Sequence, residues 1–198
     1  MPMNIAIDGP VGAGKSSIAD QVAQRLHILH LDTGAMYRTV ALYMLRNGID
    51  PQDEQTVSAR CGEADVRVAY RDGAQRTMLG GEDVSDLIRT GEVSAAASAI
   101  SKWPAVRRRM VAAQREIAAT ADMLIDGRDI GTVVLPDATV KIFLTAAPEV
   151  RAMRRFRELE QRGTSQPYDQ VLREIVDRDY ADTCLLYTSP SPRDPKTS

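Results

Sequence analysis

The stretch Gly9-Pro10-Val11-Gly12-Ala13-Gly14-Lys15-Ser16 constrains this 198-residue chain more than any other. It keeps the spacing G-x-x-x-x-G-K-[ST] without interruption, and its flanks agree with it. Asn4 to Asp8 is a short apolar run that reads as a buried strand. From Ser16 to Leu26, Ile18, Val22 and Leu26 recur every four residues beside Ala19 and Ala23, which predicts a helix burying that stripe. Strand, glycine loop and helix in this order build a phosphate cradle. Glycines let the backbone turn its N–H groups inward in conformations that a Cβ resists. The helix N-terminus adds partial positive charge at the same place. Gly9, Pro10, Val11, Gly12, Ala13, Gly14, Lys15, Ser16 and Ser17 are therefore the candidate nucleotide-binding residues. Lys15 is expected to face solvent in the free protein and to reach the β- and γ-phosphates of a nucleoside triphosphate. Ser16 is the candidate Mg²⁺ ligand through its hydroxyl.

Composition narrows the classes around that cradle. A net charge of -2 argues against a general binder of nucleic acid or of membrane surfaces. No apolar run approaches the length of a membrane span. Cys61 and Cys184 lack C-x-x-C spacing and a histidine cluster, so no zinc site is expected and a reducing compartment is favoured. The first strand begins almost at the N-terminus, leaving no room for a signal peptide, and a cytoplasmic location is expected.

Downstream, the pattern predicts α/β architecture: a parallel sheet with flanking helices, a small antiparallel hairpin insertion and a helical lid. Ile28 to Leu31 reads as a second strand ending in Asp32-Thr33-Gly34, followed by a helix whose apolar face carries Met36, Val40, Met44 and Leu45. Ligands gather at the carboxyl ends of strands in such sheets, which marks Asp32, Thr33 and Arg38. Pro51 to Arg60 is polar and reads as helical. Val66 to Tyr70 and Arg76 to Leu79, joined through Arg71-Asp72-Gly73, predict the hairpin. The segments 84–89 and 92–98 read as short helical or irregular pieces. A helix from Trp103 to about Thr120 includes Arg107-Arg108-Arg109, of which at most two can address one site. Met123 to Asp126 is a strand ending in a carboxylate, as the metal-side position of a phosphate site requires, with Arg128 and Asp129 directly after it. Val140 to Leu144 is a fourth parallel strand.

Glu149 to Arg162 is a helix in which Arg151, Arg154 and Arg155 share a face, and a second helix runs from Asp169 to Asp182. From the residues alone this pair is either an arginine-bearing lid over a triphosphate or a solvated surface with salt bridges. Residues 185–198, with Pro190, Pro192 and Pro195, are expected to be irregular, disordered or at best laid on the surface.

The residues leave three readings open: a kinase for a nucleotide, a kinase for another small acceptor, and a nucleotide binder without turnover. Five motifs also resemble those of the bacterial cytidylate kinases, in order and spacing: Ile7-Asp8-Gly9-Pro10 with Gly12-Ala13-Gly14-Lys15; Leu31 to Arg38; Ile88-Arg89-Thr90 with Glu92-Val93; Asp126 to Val134; and Pro136-Asp137-Ala138. The resemblance spans about residues 4 to 183. It implies phosphoryl transfer from ATP to CMP or dCMP with Mg²⁺, by a monomer, with neither nucleic acid nor membrane as partner. It implies a single kinase domain over 1–183, comprising a core of 1–62 and 99–183, a nucleotide-binding insertion at about 63–98 and a lid at about 149–168. By the same resemblance, Thr33, Arg107 and Asp129 contact cytosine, and Ser98, Arg178 and Asp182 contact the ribose. Arg38 and Arg128 clamp the acceptor phosphate, and Asp126 belongs to the substrate site. Lys15, Arg128, Arg154 and Arg155 form the catalytic set, with Arg154 and Arg155 on the lid. From Cys184 onward the chain departs from the family pattern, with Leu185 where that pattern has arginine and no counterpart of its last strand.

Overall fold

Short apolar runs ending in aspartate become the centre of the molecule. In the computed structural model, residues 2–161, 163 and 166–187 are described, with the backbone alone for 181 and 183–187. Strands β1 (Asn4–Asp8), β2 (Leu29–Asp32), β6 (Met123–Gly127) and β7 (Val140–Phe143) form a four-stranded parallel sheet in the order β2-β6-β1-β7. β6 is buried along its whole length and β1 from Ile5 onward, the continuous burial expected of parallel strands covered on both faces. Their register pairs Ile7 and Asp32 with Asp126, and Asp8 with Gly127, so the carboxyl ends of three strands stand side by side. The chain is therefore α/β, a parallel sheet with flanking helices. No helix among the described residues is long and apolar enough to cross a membrane.

Helix α1 (Lys15–Leu26) follows the glycine loop, and α2 (Thr33–Arg46) follows β2. Asp32 caps α2, its side chain accepting from the Ala35 N–H at 3.0 Å. The α1 stripe is a correction to the expectation from spacing. Ala19 and Ala23 are the buried apolar residues, whereas Ile18 and Leu26 are exposed. Close approach of α1 to the sheet favours the small residues and rotates the large ones outward. On the other side of the sheet, Met36, Val40 and Met44 of α2 pack in the main core as predicted, with Val84, Ile88 and Val93.

Helix α3 (Glu54–Arg60) precedes the insertion, which is larger than a hairpin. β3 (Val66–Arg71) and β4 (Ala74–Leu79) pair as expected, closed by Asp72 (φ 52) and Gly73 (φ 76) in the left-handed conformations a two-residue hairpin turn needs. A third strand, β5 (Glu82–Asp83), pairs with β4 and is too short to announce itself by alternation. Residues 91–100 form a complete helix, α4 (Gly91–Ile100), started by the Thr90 hydroxyl accepting from the Val93 N–H. α5 (Pro104–Ala118) follows with proline in its first turn, where a missing N–H costs nothing.

β7 lies at the sheet edge, and Val140, Ile142 and Phe143 are exposed among the described residues. α6 (Pro148–Gln161) and α7 (Tyr168–Tyr187) pack on each other around Ala152, Val171 and Ile175. α7 also corrects the expected start of the irregular segment, since the helix continues through residues 184–187. Leu185, Leu186 and Tyr187 contain no helix breaker, and the prolines begin only at 190. The remainder of that expectation, at 188–198, lies outside the described residues, as does the side chain of Leu185.

Candidate functional site

The glycine loop is shaped as its sequence requires. A Cβ on Gly9 would stand 1.9 Å from the Leu144 carbonyl oxygen, so only glycine admits that approach of β7. Gly14 takes φ 92 immediately before the first residue of α1. Lys15 does not face solvent. It is buried, and its Nζ donates to the Gly9 carbonyl at 2.8 Å and the Pro10 carbonyl at 2.9 Å. Burial, followed by the charge of Arg128, brings its pKa down to about 8. In the free protein the loop's own carbonyls thus occupy the ammonium, a cation stripped of water that an anion would satisfy.

Ser16 opens α1 beside β6, and its hydroxyl donates to Asp126 Oδ2 at 2.8 Å. A hydroxyl and a carboxylate make a hard oxygen set. No group of three or more His, Cys, Asp or Glu positioned for a metal occurs among the described residues. The oxygen pair fits Mg²⁺, which uses one or two protein oxygens and keeps waters or phosphates for the rest. Asp126 is 3% exposed, and its other oxygen lies 3.1 Å from His30 Nε2. His30 Nδ1 in turn lies 2.6 Å from Asp20 Oδ1 on α1. Burial opposes the charged imidazole, but its bonds to Asp126 and Asp20 outweigh burial and hold its pKa above the ordinary value.

The remaining predicted residues collect around the same strand ends. Thr33 Oγ1 donates to the Asp126 backbone carbonyl at 2.8 Å, leaving the hydroxyl oxygen free to accept. Arg38 Nη2 bonds Asp32 Oδ2 at 2.8 Å, while its Nε is buried without a partner. Arg107 and Asp129 are joined in an ion pair. Arg128 Nε reaches Asp182 Oδ2 at 2.7 Å. Arg178 donates to the Ser94 carbonyl at 3.2 Å, one helical turn before Ser98 on α4. Burial lowers the Arg178 pKa, and the nearby charges of Arg128, Arg155 and Arg38 lower it further, with Asp182 opposing. That mutual repulsion marks a basin with an excess of positive charge.

Arg151, Arg154 and Arg155 share one face of the continuous helix α6, as their spacing predicts, but differ in burial and partners. Arg151 is buried, bonding the Val11 carbonyl at 3.1 Å, the Ala146 carbonyl at 2.8 Å and Asp179 Oδ1 at 2.8 Å. Arg154 reaches the Ala13 carbonyl at 3.4 Å, and Arg155 pairs with Glu158 at 3.3 Å on its own helix. Packing against α7 and the glycine loop buries Arg151, whereas Arg155 is half-buried and Arg154 exposed.

Several participants escaped the sequence. Asp8 accepts from the Ile130 and Gly131 N–H groups at 2.7 and 2.8 Å, tying the loop strand to the turn after β6. Burial raises its pKa against those two bonds. Gln75 of the insertion brackets Asp32, accepting from its N–H at 2.7 Å and donating to its carbonyl at 3.3 Å. His30 and Asp20 carried no local signal at all.

The family model for cytidylate kinases matches residues 5–187. The chain is 50% identical over 180 residues to the cytidylate kinase of Caldicellulosiruptor bescii, covering 91% of this chain and 80% of that one. It is 51% identical over 180 residues to the cytidylate kinase of Mycobacterium leprae, covering 90% of this chain and 79% of the relative. With the cytidylate kinase of Carboxydothermus hydrogenoformans the identity is 46% over 181 residues, 91% of this chain and 82% of the other. On this match over nine-tenths of its length, the chain belongs to the cytidylate kinase family.

Proposed function

We propose that the chain transfers the terminal phosphoryl group of ATP to CMP or dCMP, yielding ADP and CDP or dCDP. The observation that carries this reading is the meeting of two anion-ready halves at adjacent strand ends. One half is the glycine loop with the desolvated Lys15; the other is the basin of Arg38, Arg128 and Arg178. Phosphoryl transfer needs little covalent help. Two mutually repelling phosphates must be held in line and their charge neutralised.

In this reading Gly9 to Ser17 and Lys15 hold the ATP phosphates, Lys15 exchanging its loop carbonyls for phosphate oxygens. Ser16 beside Asp126 would hold Mg²⁺, which when bound would supply positive charge to offset that of the phosphates. Arg38 and Arg128 clamp the acceptor phosphate, and the partnerless Nε of Arg38 suits an incoming oxygen. Thr33, Arg107 and Asp129 read cytosine; Asp129 can accept from its amino group and Arg107 can donate to its acceptors. Ser98, Arg178 and Asp182 address the ribose. Arg154, already against the loop at Ala13, and Arg155 stabilise charge on the transferring group. The acceptor oxygen attacks the γ-phosphorus as the bond to the β-phosphate oxygen breaks, and ADP leaves with that electron pair. The same reading keeps the protein in the cytoplasm, in keeping with the free, buried thiol of Cys61.

A coupled assay with ATP and a panel of nucleoside monophosphates tests this. CMP and dCMP should turn over fastest. Faster turnover of another acceptor would move the chain to a different substrate. ATP binding without turnover of any of them would make it a binder alone.

A further inference from the structure

We propose that His30 is a positioning residue that holds Asp126 in the orientation needed to receive the Mg²⁺ of the bound nucleotide. The inference rests on the phosphate-site reading above, and its test separates the two.

Four side chains form one line across the floor of the site. Ser16 and Asp20 are four residues apart on α1 and so stand one above the other on the same helix face. Between them, across the helix–sheet interface, lie His30 of β2 and Asp126 of β6. Parallel pairing sets His30 opposite Leu124, and Asp126 is two residues further on, hence on the same face of the sheet as the imidazole. The result is Asp20 Oδ1 to His30 Nδ1 at 2.6 Å, His30 Nε2 to Asp126 Oδ1 at 3.1 Å, and Ser16 Oγ to Asp126 Oδ2 at 2.8 Å. Both oxygens of Asp126 are thereby held from opposite sides.

The arrangement has a consequence for the carboxylate. Asp126 is 3% exposed and His30 8%, so in the intact site bulk water does not compete for the contact. With Oδ1 released, Asp126 could turn about its last torsion and no longer present Oδ2 beside the Ser16 hydroxyl. Asp20 is the outer anchor: its side chain is 61% exposed, yet it fixes the ring nitrogen facing away from the site. This is the logic by which groups behind a metal ligand tune metal affinity, where losing such a partner typically costs about 10- to 100-fold.

The two ring nitrogens allow a discriminating test on the full chain. Glutamine places an amide nitrogen near the position of Nε2 and can still donate to Asp126. Asparagine places one near Nδ1 and can reach only Asp20. ATP affinity is measured by titration calorimetry for His30→Gln, His30→Asn and His30→Leu, once with Mg²⁺ and once with chelator. With chelator all should match the parent chain, which also reports an intact loop. With Mg²⁺, His30→Leu and His30→Asn should bind ATP about 10-fold more weakly, and the Mg²⁺ needed for half-maximal turnover should rise in step, with KM for CMP unchanged. His30→Gln should stay close to the parent. Should the core substitutions unfold the chain, surface Asp20→Asn should shift the Mg²⁺ requirement in the same direction by a smaller factor. Unchanged Mg²⁺ dependence in His30→Leu, or equal behaviour of asparagine and glutamine, overturns the proposal. Because ATP binding is read without CMP, failure of the acceptor assignment would leave this result standing.

Discussion

In the proposed reading, the ion pair of Asp129 with Arg107 is prepared for a ligand. In the free protein they satisfy each other at the edge of the basin, half-buried and 22 residues apart in the chain. A base that offers one donor and one acceptor can insert between them without leaving either charge bare. Asp129→Ala should therefore weaken CMP by about 1–3 kcal/mol, the usual cost of leaving a buried polar group unpaired. ATP affinity should be unchanged, since the glycine loop does not touch this pair. Calorimetric titration with each nucleotide checks the split. Equal losses for the two would place Asp129 at the metal or in the framework instead of at the base.

At the level of elements, the junction of α6 with the glycine loop fixes one end of that helix. Arg151 fastens the first turn of α6 to Val11 of the loop and to Asp179 of α7, so this end of the helix is anchored. Arg154, one turn on, is exposed and only brushes the Ala13 carbonyl. Movement toward a nucleotide is therefore expected beyond Arg151, carried by the part of α6 that holds Arg154 and Arg155. Arg151→Met keeps much of the aliphatic stem and removes the charged bonds. It should lower stability by about 2–3 kcal/mol, the scale of hydrogen bonds to charged groups. It should also raise KM for ATP while leaving CMP affinity alone. Urea midpoints and nucleotide titrations read both effects; an unchanged midpoint would mean that the anchor contributes nothing.

For the whole molecule, ligand binding and folding are one equilibrium. Lys15 is desolvated in the free state, so the site gains a partner when a triphosphate enters. ATP with Mg²⁺ at a hundred times its dissociation constant should stabilise the native state by about 2.7 kcal/mol. For a chain of this size that corresponds to a rise in Tm of about 5–11 °C. Lys15→Ala should abolish most of that rise and the phosphoryl transfer with it. A melting curve of the variant that still shifts fully with ATP would mean that the loop is not the nucleotide site.

The phosphate cradle was legible in the sequence because everything that defines it is local. Three glycines, a lysine and a serine at fixed spacing, an apolar strand before and a helix after need no distant partner to be read. The hairpin, α2, α5, α6 and the first part of α7 were legible for the same reason, since periodicity and turn residues act over a few positions. The tertiary structure alone decided which groups meet. Asp8 finds its two N–H partners 122 and 123 residues away, and His30 finds Asp126 across 96 residues. Both contacts depend on the strand order β2-β6-β1-β7, which no window of sequence encodes. The same holds for the face α1 buries, where alanines prevail over isoleucine and leucine because the sheet lies too close for larger side chains. It holds equally for Lys15, whose burial comes from the loop folding back on its ammonium group. Local patterns specified which residues could bind phosphate; the packing of distant strands specified how those residues are charged, oriented and held.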